Sequence, residues 1–335
     1  MMRNGFLWLV LWCVVLTLPG CHKRDGTGAR DSSAPKGRGQ ASTIQVVATV
    51  GMVADIVRQV GGQHVHVSQI CGAGVDPHLY KPTRDDVADL GAADMIFYSG
   101  LMLEGKMTDI LVKMARYRPV VAVTEGLDDS LLLEPEDLQG HYDPHVWMDV
   151  SVWSECVGVV ARALSEFDAK HAADFQANAQ AYRERLEALH QYGQQVIESI
   201  PPTSRVLITS HDAFRYLGRA YGLDVRGVQG ISTESEAGLQ QVTRLVDLLV
   251  EKNIQAVFVE SSVPRKSIES LIEGARSRGH TVRVGGELYS DAMGPAGTYE
   301  GTYIGMLDHN ITTIARALGG EAPVGGLNGR LAGHE

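Results

Sequence analysis

"QVVATVGMVADIVRQVGGQHVHVSQI", residues 45–70, and "RVLITSHDAFRYLGRAYGLDVRGVQG", residues 205–230, follow one plan. Each opens on an apolar, β-branched run and continues with apolar residues three and four apart. Each then meets glycine and ends on a second extended run. A period of two, then 3.6, then two again predicts strand, helix, strand, and that alternation predicts parallel sheets covered by helices. Thr49 and Thr209 fall at equivalent strand ends. A unit used twice predicts an α/β chain of two Rossmann-like (βα) lobes, with a ligand crevice beyond the strands' C-terminal ends.

The rest of the chain fits around these units. "ADMIFYSG" (93–100), "RPVVAVT" (118–124), "QAVFVESSV" (255–263) and "TVRVGGEL" (281–288) supply further strands, and "EGTYIGMLDHNITTIARAL" (300–318) a last helix. Between about 149 and 199 no strand signal occurs, and "DFQANAQAYRERLEALHQYGQQVIES" (174–199) reads as one long amphipathic helix that "IPP" (200–202) stops. The expected organisation is an N-terminal lobe over 43–165, a linking helix over 166–200, a C-terminal lobe over 203–318 and a tail over 319–335. A single linking helix would act as a stiff hinge.

With 335 residues, 44% of them hydrophobic, the chain can bury a sizeable core. Its net charge of −10 is spread without a basic stripe, which argues against nucleic acid and favours the approach of cations. The opening "MMRNGFLWLVLWCVVLTLPGC" has Arg3, then an apolar run from Phe6 to Leu18 that is shorter than the ~20 residues of a membrane helix. Residues 1–20 therefore read as a signal peptide. "LPGC" resembles a bacterial lipobox, with Pro19 departing from its commoner small residue, so Cys21 is the expected lipidation site. "HKRDGTGARDSSAPKGRGQAS" (22–42) has no large apolar residue and reads, with Cys21, as a flexible tether over 21–42. Residues 1–41 carry six Arg or Lys and two Asp, which suits an anionic membrane surface. Of four cysteines, Cys13 would leave with the signal and Cys21 would be acylated. Cys71 and Cys156 remain, either as one disulfide or as two buried thiols.

Four side chains that ligate metals lie at predicted strand ends or turns, two in each lobe. They are His78 in "DPHLY", His145 in "DPHVW", His211 in "TSHDAF" and Asp291 in "ELYSDAMG". If the lobes face one another, three imidazoles and one carboxylate can converge, a set suited to zinc, manganese, iron or related divalent ions. The repeated Asp-Pro-His has a physical logic, because proline stiffens the backbone from which the histidine departs. Asp76 and Asp143 then either accept an imidazole N–H, fixing which nitrogen faces a metal, or serve as ordinary turn formers. His64 and His66 would share one strand face as an accessory site or simply a polar surface.

At these residues the sequence is similar to the TroA-like substrate-binding proteins of bacterial manganese and zinc ABC importers, periplasmic solute-binding protein family 9. The resemblance runs from about 43 to 318 and rests on "DPHLY", "YDPHVW", "SHDAFRYLGRAYG", "VQGISTESE", "VFVESSVP" and "GGELYSDAMGPAGTYEGTYIGM". It implies His78 and His145 as ligands from one lobe and His211 and Asp291 from the other, around transported Zn2+ or Mn2+, with Fe2+ a third candidate. His211 stands where manganese-dedicated members tend to carry glutamate. The short "EPEDLQGHYDPH" (134–145) replaces the long His-rich loop of many zinc binders, with His141 as loop surface.

The function so implied is that of a monomeric, exported lipoprotein, periplasmic or at the cell surface. It is no enzyme, and it would pass metal to a permease subunit after a slight closure of the lobes. Affinity is expected to fall below about pH 6 as ordinary imidazoles take up protons. Two other classes are a zinc hydrolase and a surface adhesin. The hydrolase loses ground because four protein ligands leave no position for an activated water, and HExxH, Gly-x-Ser-x-Gly and Walker motifs are absent. The adhesin would rest on the anchor alone.

Overall fold

Ile44–Ala48 (β1), apolar and β-branched at its core, pairs in parallel with Val65–Gln69 (β2) on one side and Met95–Tyr98 (β3) on the other. Val120–Ala122 (β4) completes a sheet of order β2-β1-β3-β4. These elements belong to a computed structural model that describes residues 43–135 and 140–332. The expected signal peptide at 1–20, the tether at 21–42 and the lipidation site Cys21 lie outside the described residues.

Helices Gly51–Gly61 (α1), Arg84–Ala92 (α2) and Thr108–Met114 (α3) accompany this sheet. Thr83 caps α2 reciprocally with Asp86, satisfying two backbone donors that would otherwise lack partners. Val150–Phe167 (α4) starts on Asp149, whose carboxylate accepts from the N–H groups of Ser151 and Val152. After a turn at 168–171 comes Ala172–Glu198 (α5). The helix expected over 166–200 is thus the end of α4, a break, and α5. The break is held by the bond from His171 Nδ1 to Asp168 Oδ2, 2.6 Å, and by the stacking of His171 on His64 at 4.0 Å.

The second half repeats the first. Val206–Thr209 (β5), Arg215–Tyr221 (α6) and Asp224–Gly227 (β6) reproduce the order of β1, α1 and β2, again with a parallel pair. Gly222, at φ 78°, takes the left-handed turn after α6 that a side chain would strain. Leu239–Glu251 (α7), Ala256–Glu260 (β7), Lys266–Ser277 (α8), Arg283–Leu288 (β8) and Tyr303–Ala317 (α9) follow. The strands of this half form two parallel pairs, β5-β6 and β7-β8, and β5 lies against β7.

The long helix is not a free strut. α5 packs on α4, α1 and α9, burying Phe175, Tyr182, Leu186, Leu189 and Ile197. One hydrophobic core runs from β1 through α4 and α5 to α6 and α9, so both halves share it. A smaller cluster, including Ile208, Leu249, Val257 and Leu271, fills the outer side of the second half. Cys71 and Cys156 are both buried free thiols, which settles the open choice between a disulfide and two thiols. No helix among the described residues is long and apolar enough to cross a membrane.

Candidate metal centre

His211 lies two residues beyond β5, and Asp291 three residues beyond β8, at the C-terminal ends of their strands. The Asp-Pro-His pair is less symmetric than its repetition predicts. His78 stands in a loop well after β2, whereas His145 opens the tight turn Val146–Met148 that leads into α4, far from any strand. The two histidines meet because the loops fold toward one another, not because they occupy matching strand ends.

The four side chains come together, each buried, with one ligand atom from each lying within 4.8 Å of all the others. His145 Nε2 is 3.2 Å from Asp291 Oδ1, His211 Nε2 is 3.2 Å from Asp291 Oδ2, and the Nε2 atoms of His78 and His145 are 3.3 Å apart. His78 Nε2 stands 3.9 Å from Asp291 Oδ2. A tetrahedral ion bonded at 2.0–2.1 Å sets its ligand atoms about 3.4 Å apart, so these separations fit the edges of such a cage. His211 Nε2 and both Asp291 oxygens are buried without a hydrogen-bond partner, although the two residues lie within ion-pair distance. Buried polar atoms without a hydrogen bond are costly, and a cation among them would remove that cost.

Two carboxylates orient two of the rings. Asp143 Oδ1 accepts from the backbone N–H of His145 at 2.9 Å and from its Nδ1 at 2.7 Å. Glu260, the last residue of β7, does the same for His211: Oε1 accepts the backbone N–H at 2.8 Å and Oε2 the Nδ1 proton at 2.5 Å. Both hold a proton on Nδ1 and leave Nε2 to face the centre. The orientation by Glu260 was missed in the sequence. Its signal was an acid closing the buried apolar run "AVFVE".

Asp76 differs from the imidazole-orienting role weighed for it. Its Oδ1 accepts the backbone N–H of His78 at 2.8 Å, and its Oδ2 accepts the hydroxyl of Thr233, from the opposite lobe, at 2.5 Å. No carboxylate bonds to the His78 ring at Nδ1 among the described residues.

Electrostatics divide the histidines. Burial pushes His78 down to about 4, with Asp291 opposing. Burial also pulls His145 down, but Asp143 and Asp291 together outweigh it and lift the ring to about 9. In His211 burial is likewise overcome, by Glu260 and Asp291, and the ring sits well above its usual value. Asp291, raised by burial, is held well below its ordinary range by His211 and His145. His145 and His211 thus favour their protonated forms beside the carboxylates, while His78 favours its neutral form.

The remaining histidines stay apart. His64 closes a turn before β2 instead of sharing its face with exposed His66, and its Nε2 meets Asp174 Oδ2 at 2.8 Å. His141 is exposed in its loop. His280 and His309 bond to the carbonyls of Ile254 and Glu287. Among the described residues the four-residue group is the one cluster able to hold a metal ion.

A family model described as zinc-uptake complex component A, periplasmic, matches residues 46–317. The chain belongs to this zinc-uptake component A family. The manganese-binding lipoprotein MntA of Bacillus subtilis is 46% identical over 317 residues, spanning 95% of this chain and 100% of that protein. The zinc-binding protein TroA of Treponema pallidum is 46% identical over 273 residues, spanning 82% of this chain and 88% of TroA. The solved structure of the periplasmic zinc-binding TroA superposes with a TM-score of 0.80 at 45% identity, covering 83% of this chain and 99% of that one. Family membership agrees with the resemblance carried by the motifs around His78, His145, His211 and Asp291, and the mixed α/β architecture with parallel sheets agrees with the reading from the repeated unit.

Proposed function

We propose that this chain is the extracytoplasmic substrate-binding lipoprotein of an ABC importer, capturing a divalent transition metal and delivering it to a membrane permease. Zinc and manganese are the leading cargoes, in keeping with the names of its relatives, and iron(II) is a third. The observation that carries this reading is the meeting of His78 and His145 with His211 and Asp291 from the other lobe around one buried point. Cys21 would carry the lipid anchor.

Asp143 and Glu260 hold His145 and His211 with Nε2 inward, so capture requires loss of the ion's water and of protons, not reorganisation of the rings. Asp291 supplies the negative charge that partly neutralises the ion. A cage filled by four protein ligands keeps no open position at which a water could be activated, which favours carriage over hydrolysis. At equal free concentration the order of divalent affinities favours zinc over manganese, so the cargo in the cell also depends on supply.

Elemental analysis of protein purified from its native host, followed by competition of zinc and manganese for the stripped form, tests the proposal. One tightly held ion per chain is expected. Protein that retains no transition metal, or His211→Ala protein that binds as tightly as the parent in calorimetry, would overturn it.

A further inference from the structure

Three of the four ligands are anchored from behind. His145 and His211 are locked by buried carboxylates, and Asp291 follows Ser290, whose carbonyl accepts the indole N–H of Trp147 at 2.9 Å. His78 differs. It is 6% exposed, against 0–1% for the other three, it stands in a loop without regular structure, and Leu79 beside it is 48% exposed. Its backbone N–H is held by Asp76, and the other oxygen of that carboxylate is held by the hydroxyl of Thr233 across the cleft. Thr233 sits in the 229–238 connection, which a second, exposed pair, Lys106 with Glu234, also ties to the opposite lobe.

We propose that Thr233 and Asp76 form a latch that positions His78 on the ion, making them residues that set how fast metal leaves. The chain of contacts is short: Thr233 Oγ1 to Asp76 Oδ2, Asp76 Oδ1 to the His78 N–H, and the His78 ring to the ion. While the hydroxyl is bonded, the loop carrying His78 is fixed against the opposite lobe and the cage is closed. When the 229–238 connection moves outward, Asp76 loses its restraint and His78 withdraws. The ion is then left on three anchored ligands with one face open to solvent or to a receiving site. His78 suits this part because, among the described residues, no hydrogen bond ties its ring at Nδ1 as Asp143 ties His145 and Glu260 ties His211. A receiving protein that pulls on the connection would thus trigger release without touching the metal.

This inference rests on the metal-carrier reading, and its test separates the two. Zinc is the probe. The loaded chain is mixed with excess chromophoric chelator and the rate of zinc loss is followed, with the number of ions bound at equilibrium and the melting temperature of the metal-free protein recorded alongside. Thr233→Val removes the hydroxyl with little change in shape. It is expected to release zinc about ten- to a hundredfold faster, as fits the loss of a bond to a charged acceptor, while still holding one ion and leaving the metal-free melting temperature in place. Thr233→Ser, which restores the hydroxyl, should bring the rate back. Asp76→Ala should release faster still, and adding Thr233→Val to it should change nothing more, since the two act in series. Unchanged release from Thr233→Val, failure of serine to rescue, or additive effects of the two substitutions would overturn the latch. A parent protein that binds no zinc at all would instead overturn the carrier reading.

Discussion

Glu260 and Asp143 perform the same task on different histidines, each accepting a backbone N–H and an Nδ1 proton from one residue. Replacing either by its amide keeps an acceptor oxygen but removes the charge, so Glu260→Gln and Asp143→Asn should each weaken zinc binding by roughly 10- to 100-fold in calorimetric titration. Their charge also moves an expectation to higher pH. Ordinary imidazoles predicted a loss of affinity below about pH 6, yet Asp143 and Asp291 lift His145 to about 9, and Glu260 with Asp291 lifts His211 well above its usual value. A raised pKa means that the proton on His145 stabilises the metal-free fold fully below the unfolded value of about 6.5, and that this stabilisation is lost as pH rises through about 9. Metal must displace that proton, so affinity should climb from pH 7 to pH 9. Binding at pH 7 should release about two protons, measurable by calorimetry in buffers of different protonation enthalpy; no release would count against this electrostatic arrangement. The four ligand candidates were legible because histidine and aspartate in short motifs within loops and turns are chemically conspicuous. Glu260 was not, since a single acid at a strand end reads equally well as a solvated terminus. Neither was the partner of Asp76, because a hydrogen bond between Asp76 and Thr233, far apart along the chain, leaves no local pattern.

At the scale of elements, the twofold strand–helix–strand unit was readable from hydrophobic period alone, and its differences from ideal repetition serve the centre. α1 begins three residues beyond its strand's end, whereas α6 waits until Arg215, because the intervening residues 210–214 hold His211 against Glu260. The break between α4 and α5 could not be read, because Ala-Lys-His is tolerated in a helix and it is a tertiary contact, the stacking of His64 on His171, that accompanies the turn. The division of the second half into two strand pairs was equally hidden, since periodicity marks strands without marking their neighbours. Gly227, the last residue of β6, shows how tightly one element fixes another. A Cβ there would lie 2.5 Å from the backbone nitrogen of Asp212, the residue after His211. Gly227→Ala must therefore push the His211 loop or bend β6. Overpacking of this kind costs about 1–3 kcal/mol, so the metal-free protein should melt earlier. Zinc affinity should also fall, because the displaced loop carries a ligand. A variant that melts earlier with affinity intact would show that the loop is insulated from the strand.

For the whole molecule, the decisive feature is that the halves are joined by more than a helix. Their shared core runs from β1 to α9, and polar bonds reinforce it near the centre. The Tyr303 hydroxyl donates to the Trp147 carbonyl at 2.7 Å, Trp147 Nε1 to the Ser290 carbonyl at 2.9 Å, and the Tyr216 hydroxyl to the Asp143 carbonyl at 3.0 Å. Swinging one lobe on a lone hinge would strip Trp147, Trp153 and Tyr303, all fully buried, of their packing, and exposing even one such side chain costs several kcal/mol. Movement on loading should therefore be confined to loops at the cleft mouth, and the overall dimensions should hardly respond. On this prediction the slight closure expected of the lobes takes the form of a local rearrangement. Small-angle scattering of stripped and zinc-loaded protein should give radii of gyration that agree within about 1 Å, the range of pre-organised binders. Calorimetry should show one unfolding transition in both states, because a core common to both halves makes them lose structure together. Zinc at a hundredfold excess over its dissociation constant should move that transition upward by the equivalent of about 2.7 kcal/mol. Two separate transitions in the stripped protein, or a contraction of several ångströms on loading, would mean that the lobes move as independent bodies and that the ion, not the shared core, holds them in place.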